Sequence, residues 1–364
     1  MSTPKVSVCM VSYNHAPYVG EAISSVLRQT FTDFEFLILE HASTDNSLEC
    51  IKKFDDPRIK LTVFEKNYHS TYAAKKLFEQ VSGKYVALIC SDDAWEDTKL
   101  AEQVDFLDQH DECAVVFTRI FVLNAQNKKP FLPTQHENIF NVQKNRSKDD
   151  WLRFMYNFQN PFCCSSALMR TSAYKECGPY DVRSRNVQDL ILWMNMLFRY
   201  EAHILERKLT MMRYFENQSN VSATSVDNMV LASNEALLFY EAFFSHIVAE
   251  EDFLRIFPNV AGRLRNILKY DLPLALALHG LNGPNKMVEA FALNKVYKLM
   301  AVEENRQRYE KLYGFTVLDL YRLAQQADIY GQRVGLKKIM RSIGKKCLQQ
   351  LKLLEFAKKM LCYK

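Results

Sequence analysis

The sequence lacks the glycine-rich signatures of two widespread nucleotide-binding sites. Neither G-x-G-x-x-G nor G-x-x-x-x-G-K-[ST] occurs among its 364 residues, so the sequence does not indicate dinucleotide or P-loop chemistry. It also lacks a C-x-x-C pair, and its nine cysteines have no regular spacing. Scattered cysteines in apolar surroundings favour the reduced thiols of a cytosolic protein over a disulfide framework or a zinc site.

Long apolar runs are also missing. The nearest candidate, residues 272–278, is far too short to cross a bilayer, and the N-terminal residues lead directly into a strand pattern, so we expect no signal peptide. Acidic residues are almost absent from residues 333–364, which contain ten Lys or Arg and a single acid. The whole chain carries a net charge of +5, so the sequence predicts a mildly acidic body with a strongly basic tail.

Short apolar runs rich in β-formers alternate with helical spacings over the first 120 residues. The runs that predict strands are 6–11, 34–39, 59–64, 84–90 and 114–118. The helical patterns lie between them, at 18–28, 48–51, 71–81 and 99–109. This alternation predicts an α/β fold whose central sheet is Rossmann-like, doubly wound and mostly parallel. Residues 121–160 are predicted to be irregular, and the chain after residue 225 is predicted to be almost wholly helical.

Polar side chains follow three of the predicted strands at the points where they end. These clusters are Ser12-Tyr13-Asn14, Glu40-His41 and Asp92-Asp93. Open α/β sheets bind ligands beyond the carboxyl ends of their strands, so we expect the three clusters to meet at a binding site.

Asp92 and Asp93 are the most informative of these residues. Two adjacent carboxylates repel each other, and burying them is costly unless a cation compensates. A metal ion or a ligand at the end of the strand would provide that compensation. The alternative is that Asp93 or Asp97 caps the helix that begins near Lys99. Taken alone, the pair leaves these two interpretations balanced.

Four ordered motifs carry a resemblance to a known family: VSVCMVSYNH at 6–15, AISSVLRQTF at 22–31, FEFLILEHASTDNS at 34–47, and SDDAW at 91–95 followed by Lys99-Leu100. Later segments resemble the acceptor-side segments of the same family: GPYD at 178–181, QDLILW at 188–193, RY at 213–214 and NVS at 220–222. The chain thereby resembles the inverting family 2 glycosyltransferases, which have a GT-A fold that binds nucleotide sugars. The resemblance covers roughly residues 4–222.

The resemblance implies a donor site for a UDP- or dTDP-sugar with a divalent cation, Mn²⁺ or Mg²⁺. It assigns Asp92 and Asp93 to the metal, the diphosphate and the ribose, with Asp93 the more direct metal ligand. It places Tyr13 against the pyrimidine base, next to Ser12. Lys75 lies near the position where similar enzymes have an arginine by the phosphates, although it can equally be a solvated helix residue.

Glu40 and His41 depart from the family pattern, which has two aspartates there. A neutral His41 can still accept a hydrogen bond from the pyrimidine N–H through an unprotonated ring nitrogen, and the alternative is an ordinary loop histidine.

On the acceptor side, the resemblance assigns Asp189 as the general base that takes the proton of the attacking hydroxyl. The alternative for Asp189 is a carboxylate favoured by a helix N-terminus. Gln188 replaces the usual acid before it and is expected near the acceptor, and Trp95 is a candidate for stacking on a sugar.

The sequence thus predicts a GT-A domain at 1–222, with nucleotide-sugar binding in 1–120 and the acceptor side in 121–222. A helical domain at 223–332 and a basic amphipathic tail at 333–364 follow. The tail suits an anionic membrane surface, so we expect a cytoplasmic protein at the inner face of the plasma membrane. The alternative for the tail is a solvated helix docked on the helical domain. No motif supports nucleic acid as a partner.

The expected activity is metal-dependent, inverting sugar transfer to a glycan or polyprenyl-diphosphate-linked acceptor in surface polysaccharide (O-antigen or capsule) assembly. One rival is a non-catalytic nucleotide-sugar-binding or regulatory protein on the same scaffold. A second rival is a sugar nucleotidyltransferase, which would normally carry an N-terminal glycine-rich loop.

Overall fold

The computed structural model describes residues 3–128, 134–178, 180–215, 225–260, 262–327 and 329. The chain divides into two compact units, residues 1–260 and 261–364. The first unit contains a central sheet with helices, and the described part of the second unit is helical.

The sheet of the first unit has eight strands among the described residues. They are β1 (Val6–Ser12), β2 (Phe34–His41), β3 (Ile59–Phe64), β4 (Tyr85–Cys90), β5 (Ala94–Trp95), β6 (Cys113–Asn124), β7 (Leu168–Arg170) and β8 (Glu201–Tyr214). Their order is β3-β2-β1-β4-β7-β6-β8-β5. The first four strands pair in parallel, whereas β7 runs antiparallel to both of its neighbours. The prediction of an α/β fold built on a largely parallel sheet and followed by helices is confirmed, and the complete sheet is mixed.

Ten described helices belong to the first unit. They are α1 (Val19–Leu27), α2 (Ser47–Ile51), α3 (Ser70–Phe78), α4 (Lys99–Gln109), α5 (Gln135–Phe140), α6 (Lys148–Met155), α7 (Thr171–Cys177), α8 (Gln188–Leu197), α9 (Val226–Ser245) and α10 (Glu250–Ile256). A short 3₁₀ turn at Cys164–Ser166 precedes β7. The second unit contains α11 (Arg263–Tyr270), α12 (Leu272–Gly280), α13 (Lys286–Ala301), α14 (Glu303–Tyr313) and α15 (Val317–Gln326).

The sheet centre is buried because its strands are covered on both faces. All eight residues of β2 and five of the six residues of β4 are buried, as the continuous apolar runs of parallel strands require. Gly83 allows β4 to enter the sheet beside β1, since a Cβ there would lie 2.7 Å from the backbone nitrogen of Ser7. The packing thereby fixes where β1 and β4 end, and both strands end at the site described below.

Residues 121–160 are more regular than the sequence predicted. Strand β6 continues to Asn124, and α5 and α6 follow it. Helix α6 begins after Ser147, whose side chain accepts a hydrogen bond from the amide of Asp150, and it fully buries Trp151, Leu152 and Met155. The prediction of an irregular segment was wrong because three apolar residues in two turns suffice to anchor a short helix within a polar stretch.

The helical part of the chain is divided between the two units. The sequence placed a domain boundary at residue 222, whereas α9 and α10 lie in the compact unit that ends at residue 260. Their aromatic residues explain this difference: Phe239, Tyr240 and Phe243 are fully buried, and the hydroxyl of Tyr240 donates to the carbonyl of Tyr156 at 3.0 Å.

The second unit comprises α11 to α15 as far as it is described. No helix within the described residues combines the length and the apolar character needed to cross a bilayer. The basic tail at 333–364 and the NVS segment at 220–222 lie outside the described residues.

Candidate active site

The carboxyl ends of β2, β1 and β4 meet at one edge of the sheet. Ser12 is in register with Glu40, and Val11 with Cys90. The three polar clusters predicted from the sequence are therefore neighbours in the fold, as the rule for parallel sheets requires.

Asp92 and Asp93 are both buried, with exposed fractions of 8% and 6%. The carboxylate of Asp93 accepts a hydrogen bond from the amide of Arg213 at 2.9 Å and another from the hydroxyl of Ser165. Burial raises the pKa of both carboxyl groups above the usual aspartate range, and the charge of Asp92 raises the pKa of Asp93 further. The helix-capping alternative is not supported, because α4 is preceded by Thr98 and has no side-chain cap.

Arg213 places a buried cation behind the acidic pair. Its guanidinium donates to the backbone carbonyl of Asp92 at 2.8 Å and pairs with Glu21 at 2.7 Å. The same group lies 4.6 Å from the ring centroid of Tyr18. Because Arg213 is only 1% exposed, its charge is weakly screened and lowers the pKa of both aspartates, against the effect of burial.

The acidic pair offers a donor set for a divalent cation. One ligand atom each from Cys90, Asp92 and Asp93 lie within 4.8 Å of one another, the only such group of three or more among the described residues. Carboxylate oxygens suit Mg²⁺ and Mn²⁺, and a thiol is a softer donor that suits Mn²⁺ better than Mg²⁺. The residues present therefore fit the predicted metal.

Glu40 and Ser12, both predicted to bind the nucleotide sugar, are buried. Glu40 is 1% exposed, and its carboxylate accepts hydrogen bonds from the amides of Ala42 and Ser43 at 3.1 and 2.8 Å. Glu40 therefore shapes the turn after β2, and a role of Glu40 in binding the nucleotide sugar stays a prediction. Ser12 is fully buried, and its hydroxyl has no hydrogen-bond partner within the described residues.

Tyr13 and His41 form a stacked pair, with ring centroids 4.8 Å apart. Nδ1 of His41 lies 3.1 Å from the side-chain oxygen of Asn67, which also accepts from the amide of His69. Because that oxygen must accept, Nδ1 of His41 carries the hydrogen and Nε2 is the acceptor in the neutral ring. Burial lowers the pKa of His41, which favours the neutral form.

Lys75 lies on α3 and is partly buried. Hydrogen bonds from Arg183 hold the pKa of Asp181 below its usual range, and the charge of Lys75 lowers that pKa by a smaller amount. The structure therefore associates Lys75 with Asp181, and a role of Lys75 at the phosphates stays a prediction.

Trp95 does not present a ring face for a sugar. It is 2% exposed, its indole N–H donates to the carbonyl of Ser165 at 2.8 Å, and the ammonium of Lys99 lies 3.9 Å from its ring centroid. The assignment of Trp95 to the acceptor is not supported in this structure, because packing and a cation–π contact occupy the ring.

Asp189 lies in the first turn of α8. Its carboxylate accepts hydrogen bonds from the amide of Leu190 at 2.8 Å and from the side-chain amide of Asn160 at 2.9 Å. Burial raises the pKa of Asp189 to about 6, which suits a general base that works near neutral pH. The neighbouring Gln188 has a buried side-chain oxygen without a hydrogen-bond partner within the described residues.

The segment 160–166 connects the two acidic centres. Asn160 holds Asp189, while Ser165 holds Asp93 and also accepts from the amide of Cys90 at 3.0 Å. Between them, burial raises the pKa of the Cys163 thiol, and the charges of Asp93 and Asp189 raise it further. Asn160 and Ser165 could not be identified from the sequence, because their importance comes from contacts with residues about 30 and 70 positions away.

Residues 7–178 match the family model described as Glycosyl transferase family 2. Bacillus subtilis TuaG, whose name assigns it provisionally to teichuronic acid biosynthesis, is 29% identical over 196 residues, which are 53% of this chain and 72% of TuaG. The Escherichia coli enzyme WfgD is 35% identical over 102 residues, which are 28% of this chain and 40% of WfgD.

Among solved structures, Staphylococcus aureus TarS (residues 1–349) superimposes with a TM-score of 0.50 at 16% identity, covering 91% of this chain and 92% of that one. This likeness shows the fold alone. The matched model therefore identifies residues 7–178 as a glycosyltransferase family 2 domain, and the protein is a glycosyltransferase with a GT-A fold.

Proposed function

We propose that this glycosyltransferase moves a sugar, with inversion at the anomeric carbon, from a UDP- or dTDP-sugar to a hydroxyl of a glycan or polyprenyl-diphosphate-linked acceptor. The observation that carries the proposal is the pairing of two acidic centres, one buried and one partly buried, through segment 160–166. One centre, Asp92-Asp93, suits a cation and a diphosphate, and the other, Asp189, has the raised pKa of a base.

On the donor side, Asp92 and Asp93 would hold Mn²⁺ or Mg²⁺, which supplies stabilisation for the charge that develops on the leaving diphosphate. Ser165 and the amide of Arg213 keep the Asp93 carboxylate in place. Nε2 of His41 would accept the hydrogen bond of the pyrimidine imide N–H, and Tyr13 would lie against the base.

On the acceptor side, Asp189 would accept the proton of the attacking hydroxyl. Asn160 donates to one of its oxygens and the amide of Leu190 to the other, so the carboxylate is oriented before the acceptor arrives. Partial burial disfavours the charged form of the Asp189 carboxyl and so raises its pKa. The raised pKa makes Asp189 a stronger base than a solvated aspartate.

The names of the relatives support the acceptor class. WfgD is named for transfer from UDP-Glc to a GlcNAc-diphosphoundecaprenol, and TuaG is named for teichuronic acid biosynthesis. We extend these names to a role in surface polysaccharide assembly. A non-catalytic regulatory protein is the less favoured alternative, because the partial burial of the Asp189 charge costs stability that mere binding of a donor would not require.

Thermal unfolding with a panel of nucleotide sugars tests the donor class. With Mn²⁺ present, UDP- and dTDP-sugars should raise the melting temperature, and a ligand at 100 times its Kd stabilises by about 2.7 kcal/mol. GDP-sugars serve as the purine control and should have little effect. Stabilisation by GDP-sugars without stabilisation by UDP- or dTDP-sugars would contradict the proposed base.

The tail at 333–364 lies outside the described residues, and its membrane role is a proposal from its basic, amphipathic sequence pattern. Each lysine near an anionic surface contributes about 1 kcal/mol, so several would hold the protein reversibly at the inner membrane face. Deleting residues 333–364 should abolish sedimentation with phosphatidylglycerol vesicles and preserve transfer to a soluble acceptor. Undiminished sedimentation of the truncated protein would refute the role of the tail.

A further inference from the structure

Glu235 is a buried carboxylate on α9 that has no role in the chemistry described so far. It is 5% exposed, and it lies well beyond residues 7–178, which match the family model. Among the described residues, its hydrogen bonds go to residues 184–187, the loop that leads into α8.

Four donors of this loop converge on the Glu235 side chain. One carboxylate oxygen accepts from the amide of Arg185 at 2.8 Å. The other accepts from the amides of Asn186 and Val187 at 2.8 and 3.2 Å, and from the hydroxyl of Ser184 at 3.1 Å. Three consecutive backbone N–H groups are thus satisfied by a single side chain, which fixes the path of the loop.

The same loop is tied to α9 at a second point. The side-chain amide of Asn186 donates to the backbone carbonyl of Asn228 at 3.2 Å. The last residue of the loop, Val187, immediately precedes α8, and Asp189 is the second residue of that helix. The position at which α8 begins, and with it the position of Asp189, therefore depends on the contacts that α9 makes.

We infer that Glu235 is a positioning residue for the transfer reaction: it holds the loop 184–187 so that Asp189 faces the acceptor hydroxyl. This inference rests on the proposed role of Asp189 as base. It assigns to α9, outside the matched family domain, a part in completing the active site.

The carboxylate is required because every group that it meets in the loop is a donor. A glutamine at 235 retains one accepting oxygen, but its NH₂ group would face at least one backbone N–H. That loop amide would lose its partner, and a buried amide without a partner is costly. The loop would shift to recover a hydrogen bond, and a displacement of about 1 Å at a catalytic group can cost roughly 100-fold in rate.

The test compares Glu235→Gln with Glu241→Gln, which removes an exposed acid from the same helix. We expect Glu235→Gln to lower kcat by about 10- to 100-fold with the donor KM unchanged, and Glu241→Gln to change neither. The acid limb of the pH profile should also move to lower pH in Glu235→Gln. A shifted loop would expose the Asp189 carboxyl further, and this would lower the pKa that burial raises. A purely structural role would lower the amount of folded enzyme and leave the pH profile in place.

A double variant separates this inference from the proposed function. If Glu235 acts through Asp189, adding Glu235→Gln to Asp189→Asn should cause no further loss of rate. If Asp189→Asn retains full activity, the assigned base is wrong. If Asp189→Asn is inactive while Glu235→Gln keeps its kcat and pH profile, the positioning role alone is overturned. Should Glu235→Gln fail to fold, Glu235→Asp, which keeps the charge but is one methylene shorter, is subject to the same comparison.

Discussion

Replacing Asp189 with asparagine should lower kcat by about 10²- to 10⁴-fold, the range that general base catalysis contributes. The asparagine keeps the size of the side chain but cannot accept the proton of the acceptor hydroxyl at a useful pKa. Donor and metal binding should be nearly intact, because Asp92 and Asp93 lie on another element. Steady-state transfer rates and donor-induced shifts in melting temperature provide the two measurements.

The pH dependence gives the same prediction an internal check. A base must be deprotonated, and burial raises the pKa of Asp189 to about 6. The value of kcat/KM for the acceptor should therefore be constant above about pH 7 and fall about tenfold per pH unit below 6. Metal binding competes with protons at Asp92 and Asp93, so a limb caused by those groups would shift with Mn²⁺ concentration, whereas the limb of Asp189 would not.

Asp227→Asn is the matched control for Asp189→Asn. Asp227 is an exposed carboxylate in the first turn of α9, so its loss removes the same favourable interaction with a helix N-terminus, worth about 0.3–1 kcal/mol. Wild-type kcat in Asp189→Asn, or equal losses of kcat in the two variants, would remove Asp189 as the base and leave only its role at the helix terminus.

Replacing Asp93 with asparagine should abolish activation by Mn²⁺ and lower transfer by about 100-fold or more, as expected when a group that stabilises transition-state charge is lost. Asparagine is compatible with the fold at this position. Its oxygen can accept from the amide of Arg213, and the hydroxyl of Ser165 can reverse its role and accept from the new NH₂ group.

The stability of Asp93→Asn should change in the opposite direction to its activity. The pKa of Asp93 is raised in the folded protein, so its contribution to stability is fully present below the usual aspartate range and is lost as pH rises through the raised value. Without metal at pH 8, the variant should therefore melt at a higher temperature than the wild type.

Addition of Mn²⁺ should raise the melting temperature of the wild type and leave that of Asp93→Asn unchanged. The control is Asp97→Asn, which removes an exposed acid paired with Arg28 at 3.5 Å and should retain both activity and the Mn²⁺ response. A Mn²⁺ response in Asp93→Asn equal to that of the wild type would show that the cation binds elsewhere.

The local pattern of the sequence predicted the first half of the sheet closely. The observed β3 and α4 coincide with the predicted elements, and β1, β2 and β4 differ from them by one or two residues. Short apolar runs between helical spacings are a local signal, and neighbouring residues alone are enough to identify it. The same reasoning failed for α6, because a short helix anchored by a few buried residues leaves only a weak pattern in a polar segment.

The candidate site was predictable only in part. The positions of Asp92, Asp93 and Asp189 follow from motif and strand order, whereas the burial of Glu40 and Trp95 could not be foreseen from their neighbours. Glu40 lies at the end of a strand like the other polar residues, but its carboxylate turns back to the amides of its own loop. Whether a polar side chain faces a ligand or the backbone is decided by the packing around it.

Periodicity and chemical identity along the chain are enough to predict the parallel half of the sheet, the edge at which the polar clusters meet, and the residue types that suit a cation and a base. What holds those residues in place is visible only in the folded protein. Asn160, Ser165, Arg213 and Glu235 act on residues roughly 30 to 120 positions away. Such contacts leave no periodic signal, since they arise where separate elements pack against one another.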